Sequence, residues 1–214
     1  LHFAELAWRA RVELADGRPF EFDGRSLAAV ERRYGCPAGG AVVVDGDLTD
    51  WDRLPLTCVR PAQIRVAPDS WQGAEDLSFR MGVRHDDQHL YIAVQVTDDR
   101  RVLKPGSAPW EQDGVEVRLD ARPGPVRSTS RGAGEGTGYL LVAVSPGATE
   151  AQMTWYGRAQ VDSSQVRVVS LTTPSGHDTE IAVPLGYLDR ACGAAWDGFR
   201  LNVAVDDYDE EAGP

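Results

Sequence analysis

The chain has 214 residues, enough for one domain or for a domain with a fragment of another. Hydrophobic residues make up 42% and charged residues 26%, as in an ordinary globular protein. The net charge of -11, with no basic patch in the sequence, excludes nucleic acid and anionic membrane surfaces as partners. No apolar run approaches the ~20 residues that cross a bilayer.

The first predicted elements are two strands, Ala7–Leu14 and Pro19–Phe22, joined by a turn at Asp16 and Gly17. The next stretch, "GRSLAAVERRYG", predicts a short helix with Ser26 as its N-cap. A lone hairpin is marginally stable. We therefore expect residues 1–39 to be a hairpin and linker that either joins the main sheet or, as we favour, forms the tail of a preceding domain. Residues 40–214 are expected to form the main domain.

Downstream of this boundary, short apolar-polar alternations bounded by Gly, Pro, Asp and Ser predict many strands and almost no helix. "VPLGYLDRA" predicts a single helical turn, and the Gly/Pro/Ser-rich residues 121–138 predict a mobile loop. This pattern predicts an all-β fold, an antiparallel, jelly-roll-like β-sandwich with few short helical turns. The predicted strands are Ala41–Val44, Gln63–Val66, Leu77–Arg84, Leu90–Thr97, Gly114–Leu119, Tyr139–Val144, Met153–Arg158, Val166–Leu171, Thr179–Pro184 and Phe199–Val205.

Three cysteines, Cys36, Cys58 and Cys192, allow at most one internal disulfide. Cys36 and Cys58 bracket the start of the main domain and could pair, while three buried free thiols are the alternative. No cysteine or histidine spacing is typical of a zinc site.

The stretch "APWEQDGVEVRLDA" places the largest apolar side chain, Trp110, in a polar turn immediately before a strand. Trp110 either closes one end of the core or offers its face to the C–H groups of a sugar ring. Further along the strand, Glu116 and Arg118 share the face opposite to the apolar residues. Glu116 is either a charged acceptor for sugar hydroxyls or part of a solvated face.

Acidic residues cluster in "DGDLTDWD", in "TDD" (with Asp98 and Asp99) and in "VAVDDYDEE", and carboxylate oxygens are the ligand type that calcium prefers. "DGDLTDWD" does not follow the order of an EF-hand loop, and Asp45 and Asp50 are equally suited to fixing the turn before Trp51. "VAVDDYDEE" is typical of a solvated turn. No nucleophile, nucleotide-binding or paired-carboxylate motif stands out, so we expect this chain not to be an enzyme.

Taken together, the pattern resembles the family 9 carbohydrate-binding modules and the wider group of β-sandwich domains that share their fold. The resemblance implies a non-catalytic, extracellular module, linked covalently to glycoside hydrolases or other domains, that binds oligo- or polysaccharide and often carries structural calcium. The segments that carry it are "VVVDGDLTDWDRLP" (Val42–Pro55), "VRHDDQHLYIAVQVTDD" (Val83–Asp99), "PWEQDGVEVRLD" (Pro109–Asp120) and "FRLNVAVDDYDE" (Phe199–Glu210).

The resemblance also implies roles for individual residues. Trp110 is expected to stack on a sugar ring and Glu116 to accept its hydroxyls, with Glu111 and Gln112 in the same motif. In "VTDD", Asp98 is the expected calcium ligand.

Two departures leave a second interpretation open. Leu140 or Leu141 stands where the family has an arginine, and the family's second tryptophan would lie beyond Pro214, so the last strand is expected to be missing. Trp155 in "TWYG" either replaces that second tryptophan or packs as an ordinary strand residue. The alternative function is therefore a structural spacer sandwich that has lost sugar binding.

Overall fold

A computed structural model describes residues 2–13, 16–30, 33–123, 139–155 and 160–209. The chain divides into two compact units, Leu1–Gly35 and Cys36–Pro214. The predicted loop 121–138 lies outside the described residues from position 124 onward. Among the described residues, no helix is both long and apolar enough to cross a membrane.

The first unit is an antiparallel hairpin of strands β1 (His2–Glu13) and β2 (Pro19–Val30). The pairing of Val12 with Phe20 and of Trp8 with Gly24 places apolar side chains on one face. The helix predicted in this unit is wrong, because residues 26–30 continue β2 in register with β1. A helix that short gains little from its own hydrogen bonds, so the pairing with a neighbouring strand decides the structure.

The second unit contains two antiparallel sheets built from the described strands. The five-stranded sheet has the order β3-β4-β5-β10-β9, and the four-stranded sheet has the order β11-β6-β7-β8. The strands are β3 (Leu56–Cys58), β4 (Leu77–His85), β5 (His89–Asp98), β6 (Gly114–Asp120), β7 (Leu140–Val144), β8 (Gln152–Trp155), β9 (Arg167–Thr173), β10 (Gly176–Pro184) and β11 (Arg200–Asp206).

The main core lies between the two sheets and confirms the predicted β-sandwich. Alternate residues of β5, such as Ile92 and Val94, pack in one cluster with alternate residues of β6, such as Val117 and Leu119. Within the described residues the α-helical part is limited to α1 (Leu185–Cys192), which is longer than the single turn predicted there. Because Val117 and Leu119 face the core, the polar side chains that alternate with them on β6 point to the outer face of the four-stranded sheet.

Two predicted strands are not formed. Residues 41–44 have no regular structure. A 3-10 turn (Pro61–Gln63) ends where the strand at 63–66 was expected, and residues 64–66 form no strand. Val42 is nevertheless buried against Tyr91, on the outer side of the five-stranded sheet. The three cysteines are free thiols, and burial raises the pKa of Cys36 to about 11.

A buried carboxylate fixes the acidic loop that follows this segment. Glu180 accepts hydrogen bonds from the backbone N of Asp45 (3.0 Å) and Gly46 (2.8 Å) and from the indole Nε1 of Trp51 (2.8 Å). Because Glu180 is buried, these donors compensate the cost of removing its charge from water. The loop is therefore held by the sheet itself.

One polar core residue has no such compensation. His177 on β10 is fully buried, and neither ring nitrogen has a hydrogen-bond partner among the described residues. Burial, reinforced by the nearby positive charge of Arg101, lowers the pKa of His177 from 6.5 to about 4. The folded protein therefore holds this imidazole in its neutral form.

We expect His177 to lower the free energy of unfolding as the pH falls from about 6.5 to about 4. In this window the unfolded chain binds a proton that the folded chain does not, at a cost of up to about 3 kcal/mol. Urea unfolding across this range should show a shallower pH dependence in His177→Leu than in the wild type. His89→Gln, in the hairpin between β4 and β5, is the control, and an unchanged slope in His177→Leu would contradict the prediction.

Candidate functional site

The candidate site begins at the turn that precedes β6. Pro109–Glu111 form a 3-10 turn that lies against β6 and β7, and Trp110 within it is 36% exposed. A Cβ on Gly114 would lie 2.6 Å from the carbonyl oxygen of Pro109, so only glycine lets the turn approach the strand this closely. Trp110 is thereby placed at the end of the sheet, within reach of solvent.

Hydrogen bonds from distant parts of the chain hold this turn. Asp113 is fully buried, and its carboxylate accepts from the backbone N of Val102 and of Tyr208, the latter at 2.8 Å. The Tyr208 hydroxyl donates to the carbonyl oxygen of Trp110 at 3.0 Å. The Lys104 ammonium lies 3.8 Å from the centre of the Tyr208 ring, a cation–π contact. The turn is therefore fixed to the segment that follows β11.

The two polar residues after Trp110 contribute to this turn. Gln112 is buried; its Oε1 accepts from Lys104 N at 2.7 Å, and its Nε2 donates to the carbonyl of Ser107 at 3.2 Å. Glu111 is exposed, and its Oε2 accepts from Ala108 N at 3.1 Å. Gln112 thus uses its amide to hold the loop, whereas Glu111 remains accessible to solvent.

Glu116 and Arg118 lie on the outer face of the four-stranded sheet, as their alternation predicts. Glu116 pairs in register with Ala204 of β11 and Ala143 of β7. The Arg118 guanidinium donates from Nη2 to Glu116 Oε2. The Glu116 side chain is 9% exposed and the Arg118 side chain 36%, so the guanidinium is the accessible member of the pair.

Asp206 completes the charged group on this face. It lies at the end of β11, opposite Gly114, and its Oδ2 is buried without a hydrogen-bond partner among the described residues. Burial, followed by the negative charge of Glu116, raises the pKa of Asp206 to about 7. Trp155, the proposed second aromatic residue, ends β8, and its side chain lies outside the described part of the structure.

Asp113 also belongs to a group of acidic residues. Carboxylate oxygens of Asp98, Asp113 and Asp207 lie within 4.8 Å of one another, and so do those of Asp76, Asp207 and Asp209. Asp207 Oδ1 is buried without a hydrogen-bond partner among the described residues. Burial raises the pKa of Asp98, that of Asp113 to about 6, and that of Asp207 to about 7.

This acidic group, defined by Asp76, Asp98, Asp113, Asp207 and Asp209, fits a hard divalent cation. Clustered carboxylates are the donors that calcium takes, and a buried oxygen without a donor is poorly solvated unless a cation or a proton neutralises it. Asp98, the ligand expected from the sequence, belongs to the group. Asp76 and Asp113 were not singled out as ligands. Asp207 and Asp209 were expected in a solvated turn, which is wrong for Asp207, whose Oδ1 is buried. Only the fold brings these residues together with Asp98.

The acidic loop at the start of the domain behaves differently. Asp45 Oδ1 accepts from Asp47 N at 2.9 Å, Asp47 Oδ1 from Thr49 N at 3.0 Å, and Asp50 Oδ2 from Val43 N at 3.2 Å. The bonds of Asp45 and Asp47 are the local bonds of Asx turns, the structural alternative left open for Asp45. The bond of Asp50 spans seven residues and ties the loop to Val43. The carboxylates of Asp45, Asp47 and Asp50 thus accept hydrogen bonds from the backbone of the loop.

The solved structures similar to this chain include two entries for a family 9 carbohydrate-binding module from Caldicellulosiruptor kristjanssonii. The one in complex with cellotriose is 19% identical, with a TM-score of 0.48, and the match covers 69% of this chain and 65% of that one, less than two thirds of its length. The one in complex with glucose is 20% identical, with a TM-score of 0.48 and coverage of 70% and 67%. No curated protein matches this sequence.

A family model described as "Carbohydrate family 9 binding domain-like" matches residues 58–209. The match includes the turn of Trp110, strand β6 with Glu116, and the acidic group from Asp76 to Asp209. It covers well over half of the 214 residues, so this chain belongs to the carbohydrate family 9 binding domain-like family.

Proposed function

We propose that this chain binds oligo- or polysaccharide without catalysis, with a sugar ring stacked on Trp110. The observation that carries the proposal is the exposed indole, held by Asp113 and Tyr208 at the end of an outer sheet face. The C–H face of a pyranose suits an indole, and the Glu116–Arg118 pair offers polar contacts along the same strand. Membership of the family supports the same function.

The alternative is a structural sandwich that no longer binds sugar. One observation favours it: Glu116, the expected hydroxyl acceptor, is buried and already accepts from Arg118. Sugar binding then rests on Trp110 and on whatever polar atoms remain accessible. A ligand titration separates the two functions directly.

The proposal also covers the location of the domain and the domains linked to it. A non-catalytic module raises the local concentration of a linked catalytic domain on its substrate. We propose that this chain is part of an extracellular protein and is linked to a glycoside hydrolase or another domain that acts on glycans.

Trp110→Ala is expected to weaken sugar binding at least about tenfold, since the variant loses the stacking energy and the apolar area beneath the ring. Glucose and cellotriose are suitable first ligands, measured by calorimetry and by the change in tryptophan fluorescence. In the wild type the sugar should alter the fluorescence, and in Trp110→Ala this change should disappear.

Trp8→Ala is the matched control, because Trp8 is also an exposed indole but lies in the first unit. It should leave the affinity unchanged. A broad panel of glycans that produces no heat and no fluorescence change in the wild type would favour the structural spacer instead.

We also propose that the acidic group binds calcium with a structural role. Asp98, Asp113 and Asp207 would hold the ion, and Asp76 and Asp209 lie close enough to add oxygens on the Asp207 side. A bound cation would supply positive charge to carboxylates that otherwise repel one another in a poorly solvated position. Its binding free energy would add to the stability of the fold.

Millimolar calcium is expected to raise the melting temperature of the wild type, and a chelator to reverse the effect. Asp207→Asn should lose most of this increase. Without metal, this variant should melt at the same temperature as the wild type or higher, because it removes a charge whose buried oxygen has no hydrogen-bond donor. Differential scanning calorimetry with and without calcium measures both effects.

Asp99→Asn is the matched control, since Asp99 is exposed, adjoins Asp98 and lies outside the acidic group. Its response to calcium should equal that of the wild type. If neither calcium nor the chelator changes the melting temperature of the wild type, the proposed calcium site is refuted. The proposal of sugar binding does not depend on this result.

A further inference from the structure

The two members of the charged pair on the outer face of β6, Glu116 and Arg118, differ in their exposure to solvent. Glu116 lies between the short side chains of Ala204 and Ala143 on the neighbouring strands, and its carboxylate is covered. Arg118 folds back along the strand to reach it, yet more than a third of the arginine side chain stays exposed. A ligand arriving from solvent therefore meets the guanidinium before the carboxylate.

We propose that Arg118 makes the direct polar contact with the sugar and that Glu116 is a positioning residue that orients it. This inference rests on the proposed function and names the residue that completes the site. A guanidinium carries five N–H donors in a planar fork. With Nη2 committed to Glu116, other donors remain for oxygen atoms of adjacent hydroxyls.

The position of the pair suits this role. Glu116 is two residues beyond Gly114, about 7 Å along the strand. The turn that carries Trp110 ends at the same Gly114 end of β6. Because Arg118 reaches back to Glu116, its guanidinium lies on the side of its own backbone that faces this turn.

The charges around Arg118 identify the class of sugar. Glu116 and Asp206 place two acidic groups beside a single guanidinium, and the whole chain carries a net charge of -11. No uncompensated positive charge remains in this group to attract a carboxylate. The group of Glu116, Arg118 and Asp206 therefore favours the hydroxyls of a neutral sugar over the carboxylate of a uronic acid.

Calorimetric titration of glucose, cellotriose and glucuronate into the wild type, Arg118→Gln, Arg118→Lys, Glu116→Gln and the Glu116→Gln/Arg118→Gln double variant tests this assignment. Arg118→Gln should weaken binding of the neutral sugars about tenfold. Arg118→Lys should lose a similar amount, because an ammonium cannot form the fork. Glucuronate should bind the wild type at least about tenfold more weakly than glucose.

The Glu116→Gln/Arg118→Gln double variant shows whether Glu116 contacts the sugar itself or only positions Arg118. If Glu116 acts only through Arg118, the double variant binds no more weakly than Arg118→Gln alone. Arg122→Gln is the matched control, since Arg122 forms the same kind of pair with Asp120, at 2.8 Å, and should not alter affinity. A thermal melt of each variant confirms that it is folded. If Glu116→Gln unfolds, Arg118→Gln remains informative, because it changes a side chain that is 36% exposed.

Three outcomes would overturn the assignment while sugar binding by Trp110 stands. The first is an Arg118→Gln variant that binds as tightly as the wild type or more tightly, as expected if the freed Glu116 were the true acceptor. The second is a double variant clearly weaker than Arg118→Gln. The third is glucuronate bound as tightly as glucose, which refutes the ligand class. A wild type that binds no sugar refutes the proposed function itself, and this inference with it.

Discussion

The buried carboxylate of Asp113 is the interaction on which the rest of the site depends. Through Val102 N and Tyr208 N it joins the loop before β6 to the segment after β11, two parts of the chain about a hundred residues apart. Tyr208 in turn bonds the carbonyl of Trp110. The orientation of the exposed indole is therefore set by a charge that the protein must keep out of water, which is sustainable only with several donors or a cation beside it.

The same residue connects the Trp110 turn, where we propose that the sugar binds, to the proposed cation site. Asp113 shares its cluster with Asp98 and Asp207, and Asp207 immediately precedes Tyr208. A cation among these carboxylates would offset their repulsion and tighten the junction between the end of β11 and the Trp110 turn. Calcium in this position would act on ligand binding indirectly, by fixing the backbone that presents the indole, with no need to touch the sugar.

Local pattern was enough to predict the sandwich but not every element in it. The alternation in β5 and β6 identifies strands because one face of each strand packs in the core between the sheets. It fails for residues 26–30, where helical propensity yields to pairing with β1, and for residues 41–44, where Val42 is buried without strand pairing. The turn of Trp110 was visible as one contiguous motif, whereas the acidic group was not, since Asp76 and Asp207 meet only through the strand order of the two sheets.

The period of a strand indicates which side chains share a face, but not which of them solvent can reach. Glu116 and Arg118 were expected on one face, and burial then depends on the neighbouring strands: alanines opposite Glu116 leave room for the arginine to cover it. The register also bears on the family resemblance, which expects an arginine where Leu140 or Leu141 stands. Leu140 faces the core, and Leu141 pairs directly with Arg118 across β6 and β7. An arginine at either member of that pair would rise from the same patch of the outer face. The proposed sugar contact of Arg118 would therefore come from the strand next to the one on which the resemblance expects the arginine.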